Sequence, residues 1–270
     1  MPELPEVETI ARGLNQRVAG DRIASVWIGS KPEPLKSSAR TIAGALEGAA
    51  IERVRRVGKH IVFDLRSGNG SEKRQWIVHL GMTGRMLVCA PEAEPAKHTH
   101  LIAHLESGRE LRFVDPRRFG RLEVRHDAFL GPGTEPLQVR VEEFAGLFHK
   151  SKAPIKAALL NQKFLHGVGN IYADESLFRA GVRPRRRANT LTRAELQRLH
   201  AALQEVLKEA IAAGGSSVSD YVDADGEAGF FQLQHRVYAR EGEPCLVCKT
   251  PIKKIVVGGR GTHYCPLCQK

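Results

Sequence analysis

The chain is 270 residues long, with 42% hydrophobic and 26% charged residues. That is enough apolar material for one large domain or two small ones, and too much for a disordered or fibrous protein. Lysine and arginine total 41 against 30 acidic residues, a formal net charge of +11. The balance favours a polyanionic partner, such as nucleic acid or an anionic membrane surface, over the substrates of an ordinary metabolic enzyme. No run of about 18 apolar residues occurs, and the acidic, proline-bearing start MPELPEVE lacks the layout of a signal peptide, so a soluble, cytoplasmic chain with no membrane contact is expected.

The first predicted element is a short cap and a helix, with Val7, Ile10, Ala11, Leu14 and Val18 on one face. Glu6 and Glu8 lie near its positive end, and Gly20 stops it. From about residue 21 to 125 the pattern is β: ASVWIG, IERVRRVGKHIVFDL, QWIVHLGMTGRMLV, THLIAHL and ELRFVD are rich in β-branched and aromatic residues. Leu101, Ala103 and Leu105, the SGR turn, then Leu111 and Phe113 read as a hairpin. SGNGSEK and PEAEPAK read as surface loops. Cys89, alone in MLVCA, reads as a buried, inert thiol.

Around GPGTEP, residues 131 to 136, the strand signal stops and a helical half begins. Pro154 opens a short helix through IKAALLNQ. After the glycine turn HGVGN, Asn170 is placed to cap IYADESLFRA, which Gly181 stops. Thr192 and Glu195 form a capping box ahead of Leu196, Leu199, Leu203, Val206, Leu207 and Ile211. The glycine- and serine-rich stretch 214 to 231 is a loop of a length that usually means function or disorder.

Cys245 and Cys248 are separated by two residues, as are Cys265 and Cys268, with sixteen residues between the pairs. This spacing predicts one structural Zn²⁺ on four thiolates, a closed site that organises the fold and does no chemistry itself. IKKIVV and HYC predict a two-stranded ribbon with GGRG at its tip, so that Lys249, Lys253, Lys254 and Arg260 form a basic surface. It suits a groove or phosphates; a merely solvated loop is the other reading.

PELPE carries two prolines in four positions before a helix that needs one. Loss of Met1 would expose Pro2 as a secondary amine in the α-amino pKa range of about 7.7 to 8, against about 10.4 for lysine. Such an amine can attack a sugar carbon and form an iminium. A rigid helix start is the competing explanation.

PELPEVETIARGL, HLGMTGR at 79 to 85, DPRRFG at 115 to 120, GVGNIYADESLF at 167 to 178 and the paired CxxC motifs with Arg260 together resemble the bacterial formamidopyrimidine-DNA glycosylase family. The resemblance runs from the first residue to the last, in the family's order. It implies an α+β chain: an N-terminal β-sandwich catalytic domain with flanking helices over 1–132, a helical two-turn-helix DNA-binding domain over 133–240, and a zinc ribbon over 241–270. It further implies excision of oxidised purines, notably 8-oxoguanine and formamidopyrimidines, from double-stranded DNA by a monomer, followed by β,δ-elimination at the abasic site.

By the same resemblance Pro2 is the nucleophile on C1′ and Glu3 the neighbouring acid/base. Lys59 contacts phosphate and sugar at the lesion, although His60 follows it where the family more often has an aromatic residue. Met82, Arg117 and Phe119 fill the void left by the extruded base, with Arg117 on the orphaned cytosine. His98, Asn170 and Arg260 contact phosphate, Lys156 and Glu175 lie near the lesion pocket, and the 214 to 231 stretch folds over the extruded base.

Each assignment has a plainer alternative: a solvated strand lysine for Lys59, core packing for Met82 and Phe119, a helix cap for Asn170. The glycines beside Met82 and Phe119 weaken the core reading. Two rival functions stand beside the implied one. An endonuclease VIII-like glycosylase for oxidised pyrimidines typically begins PEGPE, where this chain has Leu4. A non-catalytic zinc-ribbon DNA-binding protein is set apart only by the N-terminal Pro2 and Glu3, Lys59 and the ordered motif set.

Overall fold

The computed structural model describes residues 1–216, 224 and 229–270. They form two compact units, Met1–Leu130 with Gly214–Phe230, and Gly131–Ala213 with Phe231–Lys270.

The first unit begins with α1 (Leu4–Val18), started by a reciprocal capping box between Glu3 and Glu6 with proline in its first turn. Its apolar stripe of Val7, Ile10, Ala11, Leu14 and Val18 is buried, as the periodicity predicts. β1 (Ile23–Ile28), β2 (Ala50–Val57), β3 (His60–Arg66), β4 (Lys73–His79), β5 (Arg85–Cys89), β6 (Thr99–Leu105), β7 (Glu110–Val114) and β8 (Arg121–Arg125) make two antiparallel sheets, ordered β1-β6-β7-β5 and β2-β3-β4-β8. Residues of both sheets and α1 share one core.

Within β3, Ile61, Phe63 and Leu65 join that core, where Phe63 stacks on Trp76 with ring centroids 4.6 Å apart. The intervening Val62 packs with Val57, Ile77 and Phe129 in a small separate cluster. A strand apolar on both faces explains why IVFDL reads as a continuous hydrophobic run. The β reading of residues 21 to 125 is wrong in one place, for α2 (Ala39–Leu46) interrupts it. Ser38 caps this helix by accepting the Thr41 N–H, and Ile42, Ala45 and Leu46 are buried at helical spacing.

The second unit contains α3 (Val141–Phe148), α4 (Ile155–Leu159), α5 (Asn170–Ala180), α6 (Arg193–Ala212) and a two-stranded ribbon, β9 (Lys253–Val257) with β10 (Arg260–Tyr264). The Thr192–Glu195 capping box and the left-handed Gly181 (φ 70°) lie where the sequence puts them. Helix α4 is shorter than expected. Asn170 is not the cap of α5 but its first helical residue, because Gly169 takes the extended cap conformation and the Asn170 side chain is engaged elsewhere. Among the described residues no helix is long and apolar enough to cross a membrane.

Candidate active site and nucleic-acid interface

Pro2 and Glu3 are buried at the head of α1, while Met1 is about half exposed. The Glu3 N–H donates to Glu6 Oε2 at 2.8 Å, and the Ser216 N–H donates to Glu6 Oε1 at 2.8 Å. One buried carboxylate therefore ties the N-terminal end of the chain to a segment 210 residues away. Sequence reasoning read Glu6 only as a first-turn acid. Its spacing of three from Glu3 was the available signal.

Lys59 stands half-buried in the turn between β2 and β3, after Gly58 in a left-handed conformation (φ 59°). Two further loops meet beside the sheets. Residues 80–84 join β4 to β5, and residues 115–120 join β7 to β8. Gly81 has φ 61°, and a Cβ there would lie 2.6 Å from the Phe119 carbonyl carbon and 2.7 Å from the Gly120 nitrogen. The loops thus touch backbone to backbone, a contact only glycine permits.

Asp115, with no exposed surface, binds them from within. It accepts from the Thr83 hydroxyl at 2.5 Å, the Arg117 N–H at 3.2 Å and the Gly120 N–H at 2.8 Å. Its own N–H donates to the His98 carbonyl at 3.0 Å, which joins His98 to the same assembly.

The consequence is the presentation of three side chains outside the core. Met82 is 44% exposed, Phe119 is 50% exposed, and the Arg117 guanidinium lies 4.7 Å from the Phe119 ring centroid. Core packing is therefore not what Met82 and Phe119 do. His98 is exposed as well.

At the start of the 80–84 loop, His79 Nδ1 accepts the Gly81 N–H at 3.2 Å. Burial, reinforced by the positive charge of His60, Lys59 and Arg121, pushes its pKa down to about 4, so it is neutral at physiological pH.

In the second unit Lys156 is fully buried. Its Nζ lies 2.7 Å from Asp174 Oδ1 and donates to the Gly261 carbonyl at 3.0 Å and to Thr262 Oγ1 at 2.8 Å. Two hydrogen bonds and one ion pair thus engage the ammonium, all with groups of the protein itself. The Asn170 Nδ2 donates to the same Gly261 carbonyl at 3.0 Å, and Asp174 Oδ2 accepts the His263 N–H at 2.8 Å. Arg260, the neighbour of Gly261, is exposed. Glu175 is buried and accepts the N–H groups of Arg236, Val237 and Tyr238, so it holds that backbone segment. Burial nonetheless raises its pKa.

The Sγ atoms of Cys245, Cys248, Cys265 and Cys268 all lie within 4.8 Å of one another, with Cys248 to Cys265 at 3.4 Å and Cys245 to Cys268 at 3.9 Å. A tetrahedral ion bonded to sulfur at about 2.3 Å needs ligand separations of about 3.8 Å, so the cluster fits a metal. Cys89 is half-buried at the end of β5, less enclosed than its sequence setting suggests. Burial raises its pKa and keeps it a thiol.

An N-terminal two-sheet unit, a helical segment and a four-cysteine ribbon define the class of DNA glycosylases with a zinc finger. Three family models match in order: the formamidopyrimidine-DNA glycosylase N-terminal domain over residues 1–122, the H2TH domain of the same enzyme over 130–222, and a zinc finger found in FPG and IleRS over 242–270. The chain is 45% identical over 279 residues to the formamidopyrimidine-DNA glycosylase of Solibacter usitatus, covering all of both chains. It is 44% identical over 280 residues to that of Desulfitobacterium hafniense, again over all of both.

The MutM (FPG) protein of Thermus thermophilus superposes with a TM-score of 0.87 at 43% identity, covering 99% of this chain and 98% of that one. A mutant Lactococcus lactis FPG bound to DNA containing Fapy-dG superposes at 0.91 and 34% identity over all of both chains. The chain belongs to the formamidopyrimidine-DNA glycosylase family.

Gly81→Ala should cost at least about 2 kcal/mol, since both the left-handed backbone and the contact with Phe119 resist a side chain. Denaturant midpoints check this. His79 has a native pKa of about 4 against 6.5 unfolded, so the unfolded chain binds the extra proton. Its contribution is fully present above pH 6.5 and is lost as pH falls towards 4, roughly 3 kcal/mol in all. Urea melts at pH 7 and 4.5 should differ more for the wild type than for His79→Asn.

Proposed function

We propose that this protein is a bifunctional DNA repair glycosylase. It removes oxidised purines, 8-oxoguanine and formamidopyrimidines, from duplex DNA and then cleaves the abasic strand. The observation that carries the reading is the presentation of Met82, Arg117 and Phe119 on two interlocked loops, in the same unit as a buried Pro2–Glu3 terminus. Exposed side chains of this size, rigidly held, suit insertion into a duplex, where they offset part of the cost of unstacking a base. The Lactococcus lactis relatives with Fapy-dG DNA and with abasic-site DNA support the same substrate class.

In this mechanism removal of Met1 frees the Pro2 amine. Its lone pair attacks C1′, the glycosidic bond breaks with its electrons leaving on the base, which gains a proton, and the amine gives up its own. The C1′–O4′ bond then opens as Glu3 delivers a proton to O4′, leaving an iminium. The resulting iminium acidifies C2′–H. Loss of that proton expels the 3′-phosphate, and a second elimination expels the 5′-phosphate. Lys59 holds phosphate and sugar at the lesion, Arg117 takes the hydrogen bonds of the orphaned cytosine, and His98, Asn170 and Arg260 hold the phosphate backbone. The loop over 214 to 231, expected to cover the extruded base, lies mostly outside the described residues.

Lys156 enters this reading through Gly261, as a support of the ribbon that carries Arg260, because its ammonium donors meet protein acceptors. The four cysteines would hold one Zn²⁺, whose binding would supply folding energy to a ribbon too small to have its own core. The molecule acts as a cytoplasmic monomer.

Borohydride trapping on an 8-oxoguanine duplex tests the chemistry. A form that retains Met1 should neither trap nor excise, because the Pro2 nitrogen is then an amide. Glu3→Gln should impair excision far more than cleavage of a preformed abasic site. Full excision by the Met1-retaining form would move the nucleophile elsewhere, and stronger trapping on thymine glycol DNA would favour the pyrimidine enzyme.

Chelation, or Cys245→Ser, should unfold the ribbon and weaken DNA binding while the two-sheet unit stays folded. Metal analysis should find about one zinc per chain. Affinity should fall with salt at a log-log slope near −0.9 per neutralised phosphate, which a titration across 50 to 200 mM salt would read, roughly the range over which such contacts are lost.

A further inference from the structure

His79 lies at the end of β4, directly before the loop that carries Met82. Its Nδ1 accepts the N–H of Gly81, and its carbonyl oxygen would lie 3.0 Å from a Cβ placed on Gly120. The side chain therefore touches the 80–84 loop and the main chain abuts the 115–120 loop. Asp115 pins the same two loops at Thr83 and Gly120.

An imidazole that accepts at Nδ1 must carry its proton on Nε2, and a doubly protonated ring cannot accept at all. The surroundings keep it from charging. The His60 ring stands 4.9 Å away, Lys59 follows the β2 end, and Arg121 projects from β8. Lys36 and Glu123, which pair at 3.0 Å, line the same open cavity of about 270 Å³. The cations outnumber the single carboxylate.

We propose that His79 Nδ1 is a positioning group that sets the Met82 loop against the loop of Arg117 and Phe119, so that the three side chains enter the duplex as one unit. The inference rests on the glycosylase reading above. Met82 follows Gly81 directly, so releasing the Gly81 N–H loosens the Leu80–Gly81 peptide, one residue before Met82. Asp115, bonded at Thr83 and beyond, does not reach that peptide. The lost order would appear in insertion and excision, and much less in binding of undamaged duplex, which depends on phosphate contacts.

The test compares His79→Asn, whose Oδ1 can accept where Nδ1 does, with His79→Leu, which fills space and cannot accept. Three readouts are taken. These are single-turnover excision from an 8-oxoguanine duplex, stopped-flow fluorescence of 2-aminopurine beside the lesion as a report of insertion, and affinity for undamaged duplex. His79→Leu should slow insertion and excision about tenfold, the rate equivalent of one hydrogen bond and its reorganisation, with affinity for undamaged DNA nearly unchanged. His79→Asn should stay within about threefold of wild type on every readout, the residue of imperfect geometry.

Equal behaviour of the two variants, whether both fast or both slow, would overturn the proposal. Nitrogen-15 spectra of the free wild-type protein give an activity-independent measure that also serves if His79→Leu fails to fold. The Nε2–H tautomer is expected near pH 7, and the Nδ1–H tautomer would overturn the assignment. A wild-type protein that shows the Nε2–H tautomer but neither excises nor traps would defeat the glycosylase reading and leave the loop contact standing.

Discussion

A carboxylate removed from water is tolerated only where donors replace the lost hydration, and Asp115 is such a group. Its side-chain donors come from the two loops between β4 and β5 and between β7 and β8. A different arrangement of either loop would leave the charge uncompensated, at a cost of several kcal/mol. The glycines add a steric lock: besides Gly81, a Cβ on Gly84 would lie 2.2 Å from the Leu80 carbonyl oxygen, and one on Gly120 would lie 2.5 Å from the Phe113 ring. Electrostatics and close approach thus select one conformation. That selection is what lets Met82 and Phe119 remain exposed without collapsing onto the core.

The second unit repeats the device with opposite charge. Lys156 and Asp174 form a fully buried pair, and each spends its remaining capacity on the β9–β10 ribbon, Lys156 on Gly261 and Thr262, Asp174 on the His263 N–H. Removing either partner leaves a buried charge alone, whereas the pair together adds little net stability. Its effect is to fix where the ribbon lies against α4 and α5, and so where Arg260 stands. Glu175 does the same for the backbone at 236–238, its burial offset by three N–H donors. Buried polar groups in both units order the segments that carry the exposed Met82, Arg117, Phe119 and Arg260 side chains.

Much of the plan is legible in the sequence, because it depends on local repeats. The stripe of α1, the Thr192–Glu195 box, the hairpin of β6 and β7, and the CxxC spacing each require only neighbours within a few residues. Helices α2 and α3 escaped notice. The eight residues of α2 lie inside a β-rich stretch, and α3 has no side-chain cap to mark its start.

What the tertiary structure alone decided are the roles of acids and bases whose partners lie far along the chain. Glu6 meets Ser216, Lys156 meets Thr262, and Asp115 meets Thr83, across 210, 106 and 32 residues. The sequence by itself determined which residues could carry chemistry: a proline and a glutamate at the start, a lysine that it read as a strand residue and the structure puts in the β2–β3 turn, four paired cysteines. It could not determine that Lys156 is buried, that Asp115 organises two loops, or that Met82 and Phe119 point outward. Backbone periods and caps are written in local order, whereas the value of a charge or a hydrogen bond is set by burial, and burial exists only once distant segments have packed.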